Sequence, residues 1–278
     1  MKEVIGSFDP ISLKDAQKLR KMSKREQLAL SCLKEGKLPF EYRLNLLKMV
    51  FRKVKRIKVV ETVRNPIWYS CQQEEKIQQG KFYLVPTCVR RSLWNQNAFA
   101  KEILEAHLKP KRVAHSFSVA KVCAELARCH HLDEKKAYWM GLWHDICKDE
   151  EHQEEKMAYY YPDIHVPSWA IHGYLGAKWV KENLGIWDRD ILKAIQRHAL
   201  GKQGRTAYDY ILFIADKIEP LRGYNADEEE QLAKKDLKKA VQLVLYKQKI
   251  FLERNEDGHI KSNFNSFRNQ TGRANSSH

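Results

Sequence analysis

The chain has 278 residues, a formal net charge of +15 and a hydrophobic fraction of 43%. That is enough apolar material for one good core and a second small one. The charge points to acidic partners such as nucleotides, nucleic acid or anionic surfaces, although solvated lysine-rich helix faces explain it equally well. No apolar run is long enough to span a bilayer, and the first residues lack a signal-peptide pattern. The six cysteines are scattered with no Cys-x-x-Cys pair, which reads as reduced thiols of a cytoplasmic protein.

Val4-Ile5 followed by Gly6-Ser7-Phe8-Asp9-Pro10 predicts a strand running into a tight turn. Residues 14–35 are lysine-rich with a helical pattern that ends near Gly36. Leu38-Pro39-Phe40 breaks the chain, and a helix from about Glu41 places Leu44, Leu47 and Val50 or Phe51 on one side. Ile57-Lys58-Val59-Val60 predicts a second short strand, while residues 61–84 carry no usable pattern. From about residue 97 the chain becomes helix after helix. The expected helices are 112–129, 134–147, 169–184, 189–200 (stopping at Gly201), 206–217 and 228–252, with a long connection holding Tyr159-Tyr160-Tyr161-Pro162. The polar tail from Asn255 is expected to be disordered.

Imidazole chemistry belongs to the second part, because none of the 11 histidines precedes His107. The pair His144-Asp145 ends one predicted helix. His115 lies one helix upstream, and His172, His198 and Asp216 follow on later helices. Each residue alone is more readily a surface or hydrogen-bonded core residue. Together, four imidazoles and two carboxylates form a ligand set for a pair of divalent metals, which generate hydroxide and clamp phosphate oxygens. Small neighbours such as Ala114, Gly141, Gly173, Ala199 and Ala215 let backbones approach one compact cluster inside a helical bundle. His130, His131, His152 and His165 lie in polar or turn-like surroundings and are left out. The acidic stretch Asp149-Glu150-Glu151 with Glu154-Glu155 reads as a solvated face.

The motifs Arg112-Val113-Ala114-His115-Ser116, His144-Asp145-Ile146-Cys147-Lys148, Ile171-His172-Gly173, Ala194-Ile195-Gln196-Arg197-His198 and Ala215-Asp216-Lys217-Ile218-Glu219-Pro220-Leu221-Arg222 resemble those of the HD-domain metal-dependent phosphohydrolases. Within that superfamily the match is to the YqeK-like bacterial family of symmetrical diadenosine tetraphosphate hydrolases, over residues 98 to 253. The resemblance implies a di-iron centre ligated by His115, His144, Asp145, His172, His198 and Asp216, with Asp145 bridging. Manganese, cobalt or zinc would also suit such mixed ligands. It further implies cleavage of diadenosine tetraphosphate to two ADP. His144, Asp145, Lys148 and Arg222 are then the catalytic candidates, and Lys148, Arg197 and Arg222 the phosphate-binding ones. The chain departs from the family at Gln196-Arg197, where Arg-Tyr is usual, and at Lys217, where an aromatic residue is common.

Gly6-Ser7-Phe8-Asp9-Pro10-Ile11 and Leu38-Pro39-Phe40-Glu41-Tyr42-Arg43 resemble nicotinate mononucleotide adenylyltransferases. That family continues its first motif into His-x-Gly-His, where this chain has Ser12-Leu13-Lys14-Asp15. The expected architecture is therefore mainly α. A degenerate, shortened α/β nucleotidyltransferase-like region (1–97) precedes a helical HD-domain bundle (98–254) and a polar tail (255–278). Two other readings remain at this stage. One is an HD phosphohydrolase of another nucleotide or phosphate ester. The other is a nucleotide- or RNA-binding regulator using Arg52-Lys53-Val54-Lys55-Arg56. Dinucleoside polyphosphate is the expected partner; nucleic acid and membrane are not, and an oligomer is compatible with the sequence.

Overall fold

The structure, a computed structural model, describes the backbone of residues 1–200 and 206–256, with side chains as far as Phe251 and Glu253. The expected helix stop at Gly201 and the polar tail beyond residue 256 lie outside the described residues.

The front of the chain folds as β1 (Lys2–Gly6), α1 (Leu13–Ser23), β2 (Leu28–Cys32), α2 (Phe40–Phe51), β3 (Ile57–Val59), β4 (Ile67–Trp68), α3 (Glu74–Gln78) and α4 (Thr87–Asn95). All neighbouring strands pair in parallel, in the order β3-β2-β1-β4. The single helix expected over 14–35 is corrected to α1 followed by β2. Leu28–Cys32 is buried throughout because β2 lies between β1 and β3. A short apolar run covered on both faces has no period to distinguish it from a buried helix segment.

Polar side chains tie down the ends of these strands. Ser12 and Asp15 form a capping box at the start of α1. The buried Arg43 donates from its guanidinium to the carbonyls of Ser7, Leu33, Lys34 and Leu38. Asp9 accepts from the backbone of Lys37 and Leu38, and Glu74 accepts from Ser7 Oγ and Asp9 N. In a parallel sheet, ligands usually bind beyond these strand ends. Here the protein's own groups occupy each other there.

The rest of the described chain is helical: α5 (Ala100–His107), α6 (Pro110–Cys129), α7 (Glu134–Trp143), α8 (Gln153–Tyr160), α9 (Ile171–Trp179), α10 (Arg189–Arg197), α11 (Ala207–Ile218), α12 (Asp227–Ala233) and α13 (Leu237–Glu256). A π-helical segment, Val180–Leu184, continues α9. The helix expected over 228–252 is two, because Asp236 accepts from Lys239 N and starts a second helix. The expected long connection contains α8, whose one buried side chain, Met157, gives little periodic signal. A single apolar cluster runs across residue 97 and joins both parts of the chain.

Two glycines set the closeness of the helices that carry the histidines. A Cβ on Gly141 would lie 2.7 Å from Ala120 Cα, so α7 presses its backbone onto α6. A Cβ on Gly173 would lie 2.9 Å from the carbonyls of Ile195 and Gln196, where α9 meets α10.

Candidate metal centre

The six residues singled out in the sequence come together. His115 projects from α6, His172 from α9 and Asp216 from α11, while His144 and His198 cap the C-termini of α7 and α10. Asp145 follows in the turn after α7, which ends at Trp143 and not at the expected 147.

Two triads, His115–His144–Asp216 and His144–Asp145–His198, each bring three ligand atoms within 4.8 Å of one another. His172 joins them: its Nε2 is 3.1 Å from Asp145 Oδ1 and 3.0 Å from His198 Nε2. The two oxygens of Asp145 face different groups. Oδ1 lies near His172 and His198, and Oδ2 is 3.7 Å from His144 Nε2. On the far side, His115 Nε2 is 3.1 Å from Asp216 Oδ1.

The imidazoles are prepared as ligands. A backbone carbonyl can only accept, so the contacts of His144 Nδ1 with Gly141 O and of His198 Nδ1 with Ile195 O, both 2.7 Å, put the proton on Nδ1. Each Nε2 then presents its lone pair to the cluster. His144 Nε2 is buried and lacks a hydrogen-bond partner, an arrangement that is costly unless a cation takes the lone pair. Burial also pushes the pKa of His144 and of His172 down to about 4, keeping both neutral at ordinary pH. Burial alone would raise Asp145 and Asp216. Neighbouring imidazoles at Asp145, and Lys217 with His115 at Asp216, outweigh it and hold both carboxyls well below their ordinary range. The donor set thus fits divalent metal.

Cations surround these carboxylates. Lys148 Nζ is 3.2 Å from His172 Nδ1, and burial lowers its pKa. Arg222 donates to both the carbonyl and Oδ1 of Asp216, and Lys217 Nζ is 2.6 Å from Asp216 Oδ2. Arg197 pairs with Asp209 at 3.9 Å.

Three residues of the site were not singled out in the sequence. Glu219 Oε1 is 2.9 Å from His115 Nδ1. Arg112 Nη1 is 3.7 Å from Asp145 Oδ2, and Asp149 accepts from Arg112 Nε at 2.9 Å. The expectation of a solvated face is therefore corrected at Asp149, which also accepts from Lys109 N, and at Glu150, which pairs with Lys156. Arg112 and Glu219 stand three residues from His115 and Asp216, a spacing that helices bring to one side. His130 and His152 stay apart, against Ala233 O and Glu155.

Comparison with known proteins agrees with this geometry. The HD domain family model matches residues 112–221. The chain is 34% identical over 180 residues to a Mycoplasma pneumoniae protein named probable nicotinate-nucleotide adenylyltransferase/Ap4A hydrolase, covering 62% of this chain and 52% of that one. A Mycoplasma genitalium protein of the same name is similarly matched over 51% of its length, so the chain spans about half of each. It is 33% identical to the symmetrical bis(5'-nucleosyl)-tetraphosphatase of Bacillus subtilis, across 50% of this chain and 77% of that protein. A crystal structure of a predicted HD superfamily hydrolase involved in NAD metabolism from Clostridium acetobutylicum superposes with a TM-score of 0.50. It shares 29% identity, over 61% of this chain and 93% of that one. The helical bundle, its histidine–aspartate cluster and these relatives show that the chain belongs to the HD-domain family of symmetrical bis(5'-nucleosyl)-tetraphosphatases.

Proposed function

We propose that this chain is a dimetal phosphohydrolase that cleaves diadenosine tetraphosphate symmetrically into two ADP. The observation that carries the reading is Asp145, whose two oxygens face separate groups of imidazoles beside the unpartnered His144 Nε2. The names of the relatives supply the substrate class. The region 98–254 would act as the catalytic unit and 1–97 as a supporting nucleotidyltransferase-like region.

His115, His144, Asp145, His172, His198 and Asp216 would hold two divalent ions, for which iron suits the mixed donors. When bound, such ions lower the pKa of water and stabilise charge on phosphoryl oxygens. The chain's own residues do the positioning. Lys148, Arg112, Lys217 and Arg222 line up positive charge beside Asp145 and Asp216, where phosphate oxygens of the substrate would accept hydrogen bonds. Holding both inner phosphates in one register selects the central bond among chemically similar ones. His144 and His172 are buried, so charges beside them are screened less than in open water.

The test is chromatography of products after incubation with diadenosine tetraphosphate, alongside elemental analysis of the purified protein. ADP as the sole product and about two divalent ions per chain support the reading. AMP plus ATP, or full activity in metal-free protein, excludes it.

A further inference from the structure

Away from the metal centre, three tryptophans border a surface cavity of about 210 Å³. Trp94 comes from α4, Trp139 from α7 and Trp187 from the loop before α10. Trp187 is 67% exposed, and an indole left so open marks an interaction surface when other aromatics join it. Each ring also has a cation set against it. Arg90 lies 5.7 Å from the centre of Trp94, Lys135 5.5 Å from that of Trp139 and Lys181 4.5 Å from that of Trp187.

These three cations form no ion pair among the described residues. Lys135 is held by Asn95, through its carbonyl and side-chain oxygens. Lys136 in the same cavity is different, because Asp188 and Asp190 pair with it at 2.9 Å each, and Asp133 also lines the cavity. Counted together, Arg90, Lys135, Lys136 and Lys181 exceed Asp133, Asp188 and Asp190 by one charge, and Arg90 and Lys181 stand at the rim, outside the cavity lining. That argues against an aromatic cage for an organic cation, which needs its ring faces clear of other positive charge. It favours a planar ring that stacks on the open side of Trp187, since Trp94 and Trp139 pack against each other edge to face, and that carries anionic groups on either side.

Size narrows the ligand further. The cavity is smaller than the roughly 300–1,000 Å³ typical of pockets for drug-sized ligands. One nucleobase fits such a space, and a whole dinucleoside polyphosphate does not. Arg90, Lys135 and Lys181 come from three different elements, so they suit phosphates spread along a strand better than one compact phosphate group. The cavity is also distinct from the metal centre. It lies toward the starts of α7 and α10, whose opposite ends carry His144 and His198; its nearest helical members, Trp139 and Ile191, stand roughly 7–11 Å before them along the helix axes.

We propose that this cavity is a docking point for single-stranded nucleic acid. One unstacked base enters among Trp94, Trp139 and Trp187, and neighbouring backbone phosphates rest on Arg90, Lys135 and Lys181. Base stacking on aromatic side chains combined with basic residues that follow the backbone is how single strands are bound without sequence preference. The chain's net charge of +15 assists the encounter. The proposal is independent of which phosphate ester the metal centre cleaves.

Fluorescence anisotropy of a labelled short oligouridylate with the full-length protein tests it, over a series of salt concentrations. Binding should weaken steeply with salt. Trp187→Ala should lower the affinity on the order of tenfold, while Trp187→Phe, which keeps a stacking face, should retain most of it. Lys181→Ala should reduce the slope of log affinity against log salt by about one. Hydrolysis by the metal centre should be unchanged in Trp187→Ala. Four results would overturn the proposal. They are no binding at low salt, wild-type affinity in both Trp187→Ala and Trp139→Ala, equal binding of a duplex, and displacement of the strand by AMP at concentrations equal to the strand's own, which would mark a free-nucleotide pocket.

Discussion

Glu219 grips His115 from behind. Its Oε1 lies 2.9 Å from Nδ1, so the imidazole presents Nε2 to Asp216 at 3.1 Å. Glu219 is buried, and its second oxygen accepts from Leu221 N, which fixes the carboxylate itself. A carboxylate behind a ligating imidazole selects its tautomer and raises its basicity. Glu219→Gln should therefore weaken metal binding about 10- to 100-fold, read by competition with a chelator. Unfolding of the metal-free protein should change much less. Unaltered metal affinity would show that Glu219 has only a structural part.

Asp145→Ala removes the one carboxylate, among the described residues, that faces imidazoles on both of its oxygens. The expected outcome is loss of bound metal together with loss of hydrolysis, followed by elemental analysis and product chromatography. Retention of two ions by this variant would refute the assignment of Asp145 as the shared ligand.

Arg222→Ala should behave differently. Arg222 touches Asp216 through its guanidinium yet is part exposed, free to turn to a phosphate. Catalytic efficiency should fall about 10- to 100-fold, equal to ~1.4–2.8 kcal/mol of transition-state stabilisation, with metal content preserved. Unchanged kcat/KM would remove Arg222 from the phosphate-binding set.

Gly141→Ala should destabilise the fold by about 1–3 kcal/mol, the usual cost of overpacking. The added methyl would meet Ala120 Cα at 2.7 Å, and a backbone atom cannot rotate aside. Urea unfolding measures it. Stability equal to that of the parent would mean that α6 and α7 separate without cost.

The front region should not transfer adenylyl groups. Ser12-Leu13-Lys14-Asp15 offers no imidazole, and Ser12 with Asp15 is committed to capping α1. Arg43, Asp9 and Glu74 bind the strand-end loops to one another. Incubation with nicotinate mononucleotide and ATP should yield no dinucleotide, and formation of one would refute this.

The candidate metal ligands were legible before the fold because His115, the His144-Asp145 pair, His172, His198 and Asp216 each fall within or at the end of a predicted helix, beside small residues. The residues behind the ligands were not. Glu219 and Arg112 look like any surface charge until α11 and α6 are packed together, and Asp149 hides within an acidic run. The helices of the second part were readable from their apolar stripes and from caps such as Asp188. β2 was not, since burial on both faces erases alternation. Neither was α8, whose sequence holds one buried side chain. The tryptophan cavity depended on three elements far apart in sequence, and no local pattern announces that.

His144 and His198 also finish helices. Each returns Nδ1 to a carbonyl of its own last turn, at Gly141 and Ile195. Carbonyls at that position otherwise need a partner from elsewhere. The same two side chains thus serve architecture and chemistry at once. Substitution at either would leave a helix end without its cap and take a nitrogen donor from the cluster in one step.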